Sequence, residues 1–328
     1  MLLISELTIK RTFSWDKKIL AGLVLAAITA CGSTSSDSSS SSIPIKASAQ
    51  YFGYALVDCG FDDPLDKATQ TNYVKEVASF TNIAQMCVFD PNENISERLQ
   101  RMTDSGLAAL LAVQAIFFVG TPDATQGGGM NFALHPQYQA RWDNFVKSNN
   151  LVENHSNIAA FYVVDEPVWN GISFAELKLA ADAIKATFPA VPTAIIEAQA
   201  GIATLQVPTS IDWIGFDHYA VAQPDTDQTF SNELRLLKSK RSRPSQKILL
   251  VMDAQWLPFY GAAGYSEPYM AKVAESYYKL AQSDPEVIGI IGYLWPGGFD
   301  DAEQKGVRNL PQTVIDAHMR IGKLITGK

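Results

Sequence analysis

The chain has 328 residues, 47% of them hydrophobic, with a formal net charge of −8 and a pI near 5.1. That length and apolar share can bury a large core, as one large domain or two ordinary ones. The acidic balance argues against nucleic acid or an anionic membrane surface as the ligand, since either favours a basic face, and leaves neutral or cationic ligands.

The first fifty residues read differently from the rest. Lys17 and Lys18 precede an apolar run, Ile19 to Ile28, which is short for a membrane span and right for a signal-peptide core. Next comes Ile28-Thr29-Ala30-Cys31-Gly32. This stretch resembles the lipobox of bacterial lipoproteins, which implies a signal peptide over 1–30 and lipidation of Cys31 as the first mature residue. An ordinary signal peptide with a chance cysteine is the alternative. Gly32 stands where the resemblance would put an aspartate for inner-membrane retention, so the outer membrane is the expected location, with the lipid as the only membrane contact. Residues 31–48 are dominated by serine and carry too little apolar surface to fold, so they read as a flexible tether to a single domain over 49–328.

From Tyr51 onward strand-like and helix-like runs take turns. Tyr51 to Cys59 reads as a strand, Thr69 to Phe80 as a helix, Ile83 to Phe89 as a strand and Ile95 to Asp104 as a helix. Leu107 to Phe118 is apolar, and a glycine-rich stretch from Gly120 to Leu134, long enough to reach over a cleft, leads to a helix near Pro136 to Val152. The stretch Ile158 to Asn170 opens on a run in which six of seven residues are apolar, the mark of a strand buried on both faces, and then reaches Asp165-Glu166-Pro167, where the proline stops it. A helix from Phe174 to Phe188 capped by Ser173 and a strand from Thr193 to Ala198 follow. The second half continues with strands at Ile211 to Phe216, Ile248 to Met252 and Val287 to Leu294, and helices at Gln228 to Lys240, Glu267 to Gln282 and Val307 to Ile321. Only Ile202 to Pro208, after the fifth strand, is too short and irregular for a full helix.

Such alternation implies parallel strands joined by right-handed crossovers. Eight units in this length match a (β/α)8 TIM barrel. A doubly wound open sheet has the same alternation, but no GxGxxG turn follows the first strand. Cys59 and Cys87 fall near the ends of the first two strands, where export permits a disulfide; two buried thiols acting as small apolar residues is the commoner arrangement.

In a barrel the active site lies at the carboxyl ends of the strands. Those positions hold Asp58, Asp90, Gln114, Asp165 and Glu166, then Glu197, Asp217, His218 and Tyr219, and finally Asp253, Gln255, Trp256 and Trp295. The set is acidic and aromatic. Glycosidic bond cleavage needs one carboxylic acid to protonate the leaving oxygen and a second carboxylate to attack or to activate water. Aromatic faces pack on sugar rings, and short polar side chains bind hydroxyls.

Asp165-Glu166-Pro167 is similar to the N-E-P of clan A glycoside hydrolases, Asp212 to Tyr219 to their sixth strand, and Gly292 to Gly298 to their eighth. The resemblance implies an O-glycosyl hydrolase of oligo- or polysaccharide with Glu166 as acid/base, Trp295 as a sugar platform and Tyr219 orienting the nucleophile. Two positions depart from the pattern: Asp165 replaces the asparagine, and the seventh strand, LLVMDAQW, offers Asp253 instead of a glutamate. Asp253 is the expected catalytic partner and Glu197 a second candidate base. Asp58, Asp165, Glu197, Asp217, His218, Tyr219, Gln255, Trp256 and Trp295 are the expected substrate-binding residues. The missing glutamate motivates the alternative of a non-catalytic glycan-binding lipoprotein. With four histidines and none on the first strand, a metal hydrolase is disfavoured, and no GxSxG appears. A monomer without cofactor, metal or nucleic-acid partner is expected.

Overall fold

The computed structural model describes residues 49–328. The expected signal peptide, Cys31 and serine tether lie outside the described residues.

Eight parallel strands form the central sheet: β1 (Tyr51–Tyr54), β2 (Ile83–Cys87), β3 (Ala108–Ala112), β4 (Ile158–Asp165), β5 (Thr193–Ala198), β6 (Trp213–Asp217), β7 (Lys247–Asp253) and β8 (Val287–Tyr293). Each pairs with its neighbour in sequence from β2 to β8, and β8 returns to β1 with Gly289 opposite Tyr51. An open doubly wound sheet has no such return, so the fold is a nearly closed (β/α)8 barrel. Its interior is filled by side chains that include Ile83, Leu110, Ile196, Trp213 and Leu249, while a larger apolar shell lies between the barrel and its helices.

The β1–β2 seam is closed by side chains as well as by backbone bonds such as Asn82 N–H to the Phe52 carbonyl and Cys87 N–H to the Asp58 carbonyl. Asn82 accepts from the Phe52 N–H at 3.0 Å, Gln85 accepts from the Leu56 N–H at 2.9 Å, and a single parallel bridge joins Asp58 to Met86. The strands meet closely enough that a Cβ on Gly53 would sit 1.8 Å from the Ile83 carbonyl oxygen, so only glycine fits there. The Asp58–Met86 register sets Cys59 beside Cys87, and the two form a disulfide. The sequence leaves the pairing open, with two free thiols as the commoner arrangement; seam register, not burial alone, decides for the disulfide. The bridge spans a sequence separation of 28. For a loop of that length, chain entropy predicts that replacing both cysteines by serine costs about 3.5 kcal/mol, measurable as a lower midpoint in urea denaturation.

The helices match the expected order with one clear exception. The first, α1, is a single turn (Val74–Val77) where Thr69 to Phe80 is predicted. Side chains take the backbone donors before a helix can: Asp62 accepts from Gln70 N–H, Asp66 from Ala68 N–H and Asn72 from Val74 N–H. The same loop is tied to the one after β8 by Arg308, which binds Asp63, Asp66 and Glu76. Then follow α2 (Ser96–Asp104), α3 (Tyr138–Ser148), α4 (Phe174–Thr187), α5 (Gln228–Ser239), α6 (Met270–Ser283) and α7 (Gln312–Thr326). Ser173 and Glu176 cap α4 reciprocally. No helix follows β5, as the sequence indicates.

The predicted strand Leu107 to Phe118 ends at Ala112. The remainder becomes a helical turn (Gln114–Phe117) and an antiparallel hairpin, Phe118–Pro122 with Met130–Leu134. The tip of this hairpin packs against the loop after β4: a Cβ on Gly127 would lie 2.1 Å from the Trp169 indole, and one on Gly128 would lie 2.1 Å from Asn170 Oδ1.

Candidate active site

Glu166 follows the last residue of β4, buried to 8% exposure, in a left-handed backbone conformation (φ 46°) that non-glycine residues adopt at some energetic cost. Its surroundings define that conformation. The Glu166 N–H donates to the Ile196 carbonyl on β5 at 2.7 Å, its own carbonyl accepts from Asn170 N–H at 2.9 Å, and the Asn170 side-chain amide reaches its carboxyl at 3.4 Å. Pro167, which has no N–H to give, stops the ladder.

Around Glu166 the mouth is lined from several strands. Asp165, half-buried, accepts a hydrogen bond from the Tyr162 hydroxyl, and its N–H donates to Gln114 Oε1 at 3.1 Å. Asp217 closes β6 at 8% exposure and accepts from the Tyr219 hydroxyl at 3.4 Å. The Tyr219 ring lies 5.4 Å from that of Tyr293, at the end of β8. Burial holds the Tyr162 hydroxyl well above its usual pKa, and the charges of Asp165, Asp217 and Glu166 act in the same direction. Tyr219 is raised by burial first, then by Asp217, Tyr293, Glu166 and Asp165. Both phenols therefore stay neutral donors among three carboxylates. The structure brings together Asp165, Glu166, Asp217 and Tyr219 from the expected set.

The other expected residues are placed elsewhere. Asp58 sits at the seam, 4% exposed, held by Arg98 at 3.3 Å and Arg101 at 3.9 Å. His218 turns outward and pairs through Nδ1 with Glu233 of α5 at 2.6 Å. Gln255 is buried against the Gln304 side chain. Trp256 stays half-buried at the rim, edge-on to Tyr260. Trp295 is only 4% exposed, packs against Tyr54 and Phe80, and donates its indole N–H to Glu76 at 2.6 Å, so no ring face is left for a sugar. It shares strand parity with the inward-facing Tyr293 two residues earlier, but β8 ends at Tyr293 and the Trp295 ring turns to the outer shell.

Asp253 is 1% exposed; its carboxyl accepts from the Ala220 N–H at 2.8 Å and the Tyr260 hydroxyl at 2.8 Å. It anchors the loop after β6 and is not open to the mouth. Glu197 is fully buried, with 0% exposure, and accepts from backbone N–H groups of Val168, Trp169 and Ala198. It cannot contact substrate in this arrangement.

Burial pushes the carboxyl of Glu197 up to about 7, against the lowering effect of those three N–H donors, and likewise raises Asp253 to about 7 against Ala220 and Tyr260. Both groups bind a proton more tightly in the folded chain than in the unfolded one. Their contribution to stability is complete at low pH and is lost as pH rises through about 7. Glu197→Gln, which cannot ionise, should therefore be less destabilised relative to wild type at pH 8 than at pH 5 in paired thermal melts.

Tyr162, Tyr293 and Asp300 are missing from the sequence-derived set. Asp300 accepts from the Tyr293 hydroxyl at 2.6 Å and from Gln304 at 2.9 Å. For Tyr162 a signal existed: it lies four residues before Glu166, with the same strand parity, on the inner side of β4. A separate open cavity of about 520 Å³ lies outside the β6 loop, lined by His218, Gln223, Thr226 and Tyr265 among others. None of the mouth carboxylates borders it.

The sequence matches no known family profile and no curated protein. Solved structures do resemble it. A glucosidase from Croceicoccus marinus superposes with a TM-score of 0.56 at 14% identity, covering 86% of this chain and 68% of that one. Xylanase 10B from Thermotoga maritima gives 0.53 at 13% identity, covering 87% and 98%. A GH113 β-1,4-mannanase gives 0.50 at 11%, covering 84% and 99%. At these identities the likeness establishes the fold, a (β/α)8 barrel of the kind found in glycoside hydrolases.

Proposed function

We propose that the chain is a glycoside hydrolase acting on an oligo- or polysaccharide at the barrel mouth, with Glu166 as the proton donor. The observation that supports this most is the backbone of Glu166: a strained, fully hydrogen-bonded turn fixes a carboxyl at the end of β4, among Asp165, Asp217 and two neutral tyrosines. The second carboxylate in this reading is Asp217, not Asp253, because Asp253 is sealed behind Ala220 and Tyr260. β4 and β6 are two strand spacings apart, roughly 9–10 Å between backbones. Side chains converging from there fall within the span of about 5 to 9.5 Å used by paired carboxylates.

In the reaction, water attacks the anomeric carbon and gives its proton to Asp217, while Glu166 protonates the leaving oxygen as the carbon–oxygen bond breaks. Tyr219 holds Asp217, and Tyr293 presents a ring to the mouth. Incubating the purified chain with a panel of β-linked and α-linked polysaccharides should release new reducing ends on at least one.

A second reading, a barrel that binds glycan without cleaving it, is favoured by the closed position of Asp253. Calorimetric binding with no product on any substrate would support it, and turnover would eliminate it. The chain is proposed to reach the outer membrane through acylated Cys31; Cys31→Ser should abolish incorporation of labelled palmitate in cells, and undiminished labelling would refute the anchor.

A further inference from the structure

We infer that Glu197 is a positioning residue that holds the Glu166 turn, so that its carboxyl acts on catalysis through backbone geometry and never through contact with substrate. This rests on the hydrolase reading of Glu166.

The backbone donors of the turn can be followed one by one. Asp165 N–H goes to Gln114 and Glu166 N–H to Ile196, Pro167 has none, and Asn170 N–H returns to the Glu166 carbonyl. The two that remain belong to Val168 and Trp169. Both are taken by Glu197, at 2.8 Å through Oε2 and 3.2 Å through Oε1. They have no other acceptor among the described residues, and a buried N–H left unpaired is costly. A left-handed glutamate persists only where its neighbours over-determine it. Glu197 supplies that constraint from β5, the strand whose Ile196 carbonyl also binds Glu166 N–H.

Gly201 closes the other side: a Cβ there would lie 2.3 Å from Glu197 Oε1, so the carboxyl is seated between glycine and turn. Gln114 and Glu197 thus grip the turn from its two ends, one before Glu166 and one after. Burial of the carboxyl keeps water from competing for the two N–H groups.

Two variants test this. Glu197→Gln keeps the shape but turns one acceptor into a donor facing an N–H. Gly201→Ala leaves the carboxyl intact and pushes on it. In both, kcat on the substrate found for the wild-type chain should fall about 10- to 100-fold, the range that follows from about 1 Å of misplacement, while KM changes little. Hydrogen exchange of the Val168 and Trp169 amides should accelerate. A folded Glu197→Gln chain with unchanged protection of those amides overturns the proposal, and so does lost protection with full kcat. If Glu197→Gln does not fold, Gly201→Ala decides by the same two readouts. A wild-type chain inactive on every substrate defeats the hydrolase reading alone, because the exchange measurement still judges Glu197.

Discussion

Glu166→Gln is expected to lower kcat by about 10²- to 10⁴-fold, the contribution of a positioned general acid, while leaving the thermal midpoint within a few degrees of wild type. The amide still accepts from Asn170, and the backbone bonds that fix the turn do not involve the carboxyl. Initial rates on the hydrolysed substrate, with a melt on the same preparation, check it. A folded variant with undiminished rate would remove Glu166 from the chemistry.

The second large effect separates two aspartates. Asp217→Asn is expected to lower kcat by about 10²-fold or more, because an amide cannot take the proton of the attacking water. Asp253→Asn is expected to do the reverse, losing about 1–3 kcal/mol of stability through its buried bonds to Ala220 and Tyr260 and keeping most of the rate. If Asp253→Asn abolishes turnover in a chain of wild-type stability, the assignment of the second carboxylate returns to β7.

The barrel was legible because its signal is repeated: eight apolar runs at regular spacing over-determine a closed sheet even when single boundaries shift. Boundaries moved where side chains competed with backbone, as in the aspartate-rich loop before Val74, where a helix of twelve residues shrank to one turn. The glutamate after β4 was legible for another reason. A buried strand that stops at proline with two carboxylates has few structural explanations.

What alternation could not settle was direction. Trp295 and Tyr293 lie two residues apart at the end of β8, yet Tyr293 faces Tyr219 at the mouth and Trp295 faces Tyr54 in the outer shell. Asp253 occupies an expected strand end, but its carboxyl is drawn to Ala220 and Tyr260, contacts set by the loops after β6 and β7. Strand ends reveal which residues are near a site; loop packing decides which of them reach it.

The most direct measurement is a crystal structure of Glu166→Gln soaked with an oligosaccharide that the wild-type chain cleaves. The account predicts a glycosidic oxygen within hydrogen-bond distance of the residue-166 side chain, a sugar ring near Tyr293, and Asp217 on the opposite side of the scissile bond. An oligosaccharide seated instead in the cavity beside His218, with the barrel mouth empty, would contradict it.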